Sequence, residues 1–117
     1  MQTSETGRVV WLRDSLKSDR FWWPVVVYRS WDDIIQYQVP HDVDERVDLE
    51  GEHQVYVVRL GVSSGRSLLA IDVKELKPWD ELSPDVVLRQ YPKSYDSSEL
   101  QGAIKLAGDA VDLVRVA

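Results

Sequence analysis

From Phe21 to Arg29 the chain reads Phe-Trp-Trp-Pro-Val-Val-Val-Tyr-Arg. β-Branched and aromatic side chains lose rotamer freedom in a helix and pack well on a pleated surface, so this segment predicts a strand. Pro24 is expected at its start or edge, where a missing N–H is tolerated. Arg8 to Arg13, an apolar run between charges, predicts a strand before it. The polar stretch Asp14 to Arg20 reads as a loop between them. Gln54 to Leu60 and Ser67 to Ile71 predict two more strands, joined by a turn at Ser63-Ser64-Gly65-Arg66. Trp31 to Tyr37 reads as an irregular continuation of the second strand, and Val39 to Glu52 as a loop. Asp72 to Lys77 predicts a brief strand or 3₁₀ turn before Pro78-Trp79.

After Trp79 the pattern changes. Ser83-Pro84 resembles an N-cap with proline in the first turn, and predicts a helix from Pro84 to about Tyr91. Asp96 with Glu99 resembles a capping box. Beyond it Leu100, Ile104, Ala107, Val111 and Val114 recur at steps of four and three, the apolar stripe of an amphipathic helix. Strands first and helices last predict an α+β domain: a small antiparallel β-barrel followed by C-terminal α-helices. The organisation expected is a flexible N-terminus over 1–6, a barrel over 7–80 and a helical part of the same domain over 81–117.

A chain of 117 residues suits one domain. With no cysteine, disulfides, thiolate metal sites and a cysteine nucleophile are excluded together. The two histidines, His41 and His53, have no third partner for a metal, so no metal or cofactor is expected. The longest apolar run, Phe21 to Tyr28, is too short to cross a membrane. There is no Gly-rich phosphate loop, nucleophile elbow or orienting partner for a histidine, so no enzyme is expected and no catalytic residue is assigned.

The net charge of −6 is concentrated. Asp32 to Glu52 holds eight carboxylates against Arg46 alone, a local sum of −7. Such a stretch is either a solvated loop or a surface for a cationic partner. The overall sign argues against strong, sequence-independent binding to nucleic acid by this chain alone.

Phe21-Trp22-Trp23-Pro24, followed by three valines, resembles the signature of a PWWP domain, with phenylalanine in place of the first proline. Gly7-Arg8-Val9-Val10-Trp11-Leu12-Arg13 is similar to the family's opening strand. Val57-Val58-Arg59-Leu60-Gly61 stands where its third strand ends, and Val73-Lys74-Glu75-Leu76-Lys77-Pro78-Trp79 resembles the stretch leading to its helices. The matches run in order over about residues 7 to 80.

The resemblance implies a five-stranded SH3-like barrel of the Tudor, chromo and MBT group. It implies a nuclear chromatin reader, a monomeric domain of a larger protein, whose aromatic cage takes a methylated, most readily trimethylated, lysine of a histone tail. Transcription and DNA repair are the settings in which such domains occur. The family's three cage walls fall here on Arg20, Trp23 and Arg59, which keeps one ring. Phe21 and Trp23, two apart on an extended chain, point to one face and supply two walls. Tyr56 or Trp31 is expected as a third, with Trp22 turned into the barrel. Arg20, Trp22, Arg59, Asp32 and Asp33 are expected at the rim.

Two other functions are consistent with the residues. One is a nucleic-acid-binding module using Arg8, Arg13, Lys17, Arg20, Arg59 and Arg66, which at its weakest would only assist contact with nucleosomal DNA. The other is a protein-interaction scaffold whose cage no longer works.

Overall fold

A computed structural model of the chain describes residues 7–16, 19–37, 39, 48–62 and 68–116. The expected flexible segment 1–6, the turn Ser63–Arg66, Lys17, His41 and the acidic residues Asp42, Asp44 and Glu45 lie outside the described residues.

Five strands form one antiparallel sheet: β1 (Arg8–Leu16), β2 (Asp19–Tyr28), β3 (Gln54–Arg59), β4 (Leu68–Asp72) and β5 (Leu76–Pro78). Their order is β4-β3-β2-β1-β5. Among the described residues the edges β4 and β5 do not pair with each other, so the sheet is open. Helix α1 (Trp31–Gln36) follows β2, and α2 (Pro84–Gln90) and α3 (Ser98–Val116) follow the strands.

Three sequence expectations are corrected. The stretch from Asp14 to Arg20 is mostly strand, because β1 and β2 continue as a long ribbon with Asp14 opposite Phe21 and Ser15 opposite Arg20. A ribbon with one solvated face accepts such polar residues. Pro24 lies in the middle of β2 and is fully buried. Its carbonyl accepts from Leu60 N–H at 3.1 Å, on the side where the β3 ladder ends. N–H and C=O of one residue point the same way in an antiparallel ladder, so the absent donor faces that end and takes nothing from the β1 pairing. Trp31 to Gln36 is helical because Ser30 caps it: its Oγ accepts from Asp33 N–H at 3.2 Å, and Asp32 and Asp33 sit in the positive first turn.

Alternation along β2 divides the molecule. Phe21, Trp23, Val25 and Val27 face the main core with Val10, Leu12, Val55 and Val57. Val87 of α2 and Leu100 and Ala103 of α3 cover that face. The approach is close at Gly61, whose φ is +67° and where an added Cβ would stand 3.0 Å from Ala103 Cα. On the opposite side of the sheet Ile34, Val39, Tyr56 and Leu68 form a second, smaller core. Trp11 is buried; its ring stacks on Trp79 at 4.5 Å and its Nε1–H donates to Trp79 O at 3.0 Å.

Candidate functional site

Phe21 and Trp23 do share a face, and their rings meet edge to face at 6.2 Å. That face is the core. Phe21 is 8% exposed and Trp23 6%. Tyr91, just after α2, sets its ring against Phe21 at 5.2 Å, and Trp23 Nε1–H donates to Leu60 O at 2.8 Å. The two rings are therefore not open cage walls. The physical reason is that α2 and α3 fold back over the odd-numbered side of β2 and use these rings as packing. Burial raises the Tyr91 phenol above its ordinary value, with Glu99, Asp96 and Asp14 adding to the effect in that order.

The remaining cage assignments are corrected in the same way. Tyr56 is buried in the second core, on the other side of the sheet from Phe21 and Trp23, so the three do not converge. Trp22 is half-buried and packs against the main core from the side opposite Phe21 and Trp23, with the Lys77 ammonium 5.6 Å from its ring centre. Arg59 does not stand at an open rim, because its Nη1 pairs with Asp14 Oδ2 at 3.1 Å. Arg20 is exposed.

A different group of rings reaches solvent. Tyr37, at the C-cap of α1, is 57% exposed, and its ring lies 6.1 Å from Tyr28, tilted by 47°. Tyr28 is the cross-strand partner of Tyr56, and Tyr56 meets Trp31 edge to face at 5.7 Å. Contacts thus run from the exposed Tyr37 to the half-buried Tyr28, and from Tyr28 through the buried Tyr56 to the half-buried Trp31, linking the end of β2, both ends of α1 and β3. Ile35, 55% exposed, stands beside this group. Burial, and then the neighbouring Tyr37, raises the Tyr28 phenol above its ordinary value.

Carboxylates border this surface. Asp32 and Asp33 lie in the first turn of α1. Leu49 packs against the second core, which brings exposed Asp48 and Glu50 to the same side of the sheet. Asp32 and Asp33 stand next to Trp31 in the first turn of α1, and not beside the motif rings Phe21 and Trp23. Sequence reasoning missed Tyr28 and Tyr37. The signal was present in Ser30-x-x-Asp33: a cap there starts a helix, and a helix turns Tyr37 back onto Tyr28.

The basic residues are dispersed. Arg13 pairs with Glu75 at 3.1 Å and Arg59 with Asp14. Arg66 and Lys17 lie outside the described residues. Among the described residues no cluster of three histidines or carboxylates could hold a metal, and no helix is long and apolar enough to cross a membrane.

Compared with models of protein families, with curated proteins and with solved structures, the chain gives no match.

Proposed function

We propose that the chain is a reader module of the PWWP kind that binds a methylated lysine of a histone tail, and that it does so through the Tyr28–Trp31–Tyr37 surface. The observation that carries this reading is the exposed ring of Tyr37 leaning on Tyr28, on a side of the sheet bordered by Asp32, Asp33, Asp48 and Glu50. A trimethylated lysine has no N–H to donate and keeps its charge under an apolar cap. Ring faces offer such a cap both contact and negative potential, at roughly 0.5–2 kcal/mol per ring. Carboxylates nearby add attraction for the basic tail as a whole. The affinity expected of so few rings is modest, and several modules on one nucleosome would raise it.

The family reading draws support from order. The motif lies within β2, its proline opposite Trp11; the Val73–Trp79 stretch returns as β5 beside β1; the helices follow. A five-stranded antiparallel sheet in the order β4-β3-β2-β1-β5, open between β4 and β5, supports the reading as an SH3-like fold. A nuclear location follows from the same reading.

The test is an NMR titration of the labelled chain with methylated and unmodified histone-tail peptides. Shifts at Tyr37, Tyr28 and Asp32 that strengthen with methylation support the reading. Equal response to unmodified peptide points to a plain interaction scaffold.

Nucleic acid is the second reading. Arg13, Arg20, Trp22 and Lys77 lie on one side of the β1–β2 ribbon, with Lys77 over the Trp22 ring. Binding there would weaken steeply with salt. The net charge and the Arg13–Glu75 pair count against it.

A further inference from the structure

The two edges of the open sheet differ. β5 is three residues long and ends in Lys77-Pro78, a charge and a residue with no N–H, both of which discourage a further strand. β4 reads Leu68-Leu69-Ala70-Ile71-Asp72 and has neither device. The ladder fixes where its backbone points. Val73 N–H donates to His53 O at 2.8 Å, so the bonded pairs of the β3–β4 register are Val55 with Ile71 and Val57 with Leu69. Leu68, Ala70 and Asp72 alternate with them, and their N–H and C=O groups point away from β3. Leu68 is 5% exposed, which closes that end of the edge, and Asp72 C=O begins the 3₁₀ turn that follows. The N–H and C=O of Ala70 and the N–H of Asp72 remain, on half-buried residues, with no partner among the described residues.

We propose that this edge takes an extended basic peptide as a further strand: the flank of the same tail whose methylated lysine meets Tyr37, an occupant that rests on the reader reading. Main-chain hydrogen bonds supply the attachment, so the edge selects an extended backbone more than any one side chain. Charge selects the partner. Asp48, Glu50 and Glu52 are exposed where the chain enters β3, at the end of the sheet where Gln54 faces Asp72, and Glu50 N–H donates to Gln54 Oε1 at 2.6 Å. A cationic tail is drawn to that end, whereas a second copy of a chain of net charge −6 is repelled. Position agrees with the Tyr37 surface. Ala70 stands opposite Tyr56, and Tyr56 opposite Tyr28. A strand docked on β4 is three strand spacings from Tyr28, roughly 14 Å, which an extended chain spans in about four residues. The docked segment therefore lies about four or more residues from the modified lysine.

The test measures amide exchange and chemical shifts of the labelled chain with long histone-tail peptides, trimethylated and unmodified. At saturation the Ala70 and Asp72 amides should exchange at least about threefold more slowly, because each gains an acceptor. The unmodified peptide should do the same at higher concentration. N-methylating the peptide backbone should weaken binding about three- to tenfold at the one residue opposite Ala70, the loss of one donor, and less than about twofold at its two neighbours, whose N–H groups point away. Ala70→Pro removes an N–H that the β3 ladder does not use, and should lower peptide affinity at least about threefold; the N-methylated peptides make the same test without altering the fold. Unchanged exchange at Ala70 and Asp72 while Tyr37 responds would overturn the docking and leave the reader reading standing. Protection of the edge by both peptides alike, with no methyl dependence at Tyr37, would support the docking and sink the reader reading. No response at either place overturns both. Protection at Ala70 that comes from self-association, seen by sedimentation without peptide, would make the occupant a second copy and overturn the proposal.

Discussion

Two aromatic groups sit on opposite sides of one strand. Phe21 and Trp23 belong to the odd-numbered side of β2, and Tyr28 to the even-numbered side. The first pair lies under α2, α3 and Tyr91; the second group is only partly covered, because α1 is six residues long and ends at Tyr37. What separates core from surface here is which side of the sheet the C-terminal helices take. Aromatic content does not decide it, and neither does nearness to the motif.

The sharpest way to break this comparison is to truncate a ring on each side. Trp23→Ala should cost about 3–5 kcal/mol in urea denaturation, as expected for a large buried ring, and leaves Leu60 O without its indole donor. If Trp23→Ala instead keeps full stability, the ring is not packing and the covered-face account is wrong. Gly61→Ala tests the covering helix itself. A left-handed residue pressed to within 3.0 Å of Ala103 Cα should lose about 1–3 kcal/mol, seen as a lower Tm.

Arg59→Ala is expected to cost about 1–2 kcal/mol, since its pair with Asp14 is four-fifths shielded from solvent; a double-mutant cycle with Asp14→Ala isolates the coupling. Tyr37→Ala should change stability by less than about 0.5 kcal/mol yet lose the peptide response. Smallest of all is Asp96. Hydrogen bonds from Ser98 N–H and then Ser98 Oγ hold its carboxyl below the ordinary value. A depressed value stabilises the fold above the unfolded value of 3.8 and loses that contribution as the pH falls through the folded value. Asp96→Ala should therefore fray the start of α3 slightly at neutral pH and change little in strong acid, as amide exchange at Ser98 and Glu99 would report.

The order of strands and helices was legible because periodicity is local: the valines and aromatics of β1 to β4, the Ser83-Pro84 start and the Leu100–Ala107 stripe each follow from neighbours in sequence. The sides were not. Parity along β2 places Phe21 with Trp23, but whether that side is core depends on where residues 84–116 fold back, a contact between segments some 70 residues apart. The same gap explains Arg59, whose partner Asp14 lies 45 residues away. Helix α1 could have been read from Ser30 and its acidic first turn; the strand character of its neighbours obscured it.

The central claim is that a cationic, methylated side chain meets the Tyr28–Trp31–Tyr37 surface and leaves the motif rings undisturbed. Two indole N–H signals report the two sides separately during titration with a trimethylated histone-tail peptide. The account predicts that the Trp31 indole and the Tyr37 amide move in step with peptide while the Trp23 indole, held on Leu60 O, stays in place. Movement of the Trp23 indole with Tyr37 unaffected would contradict it.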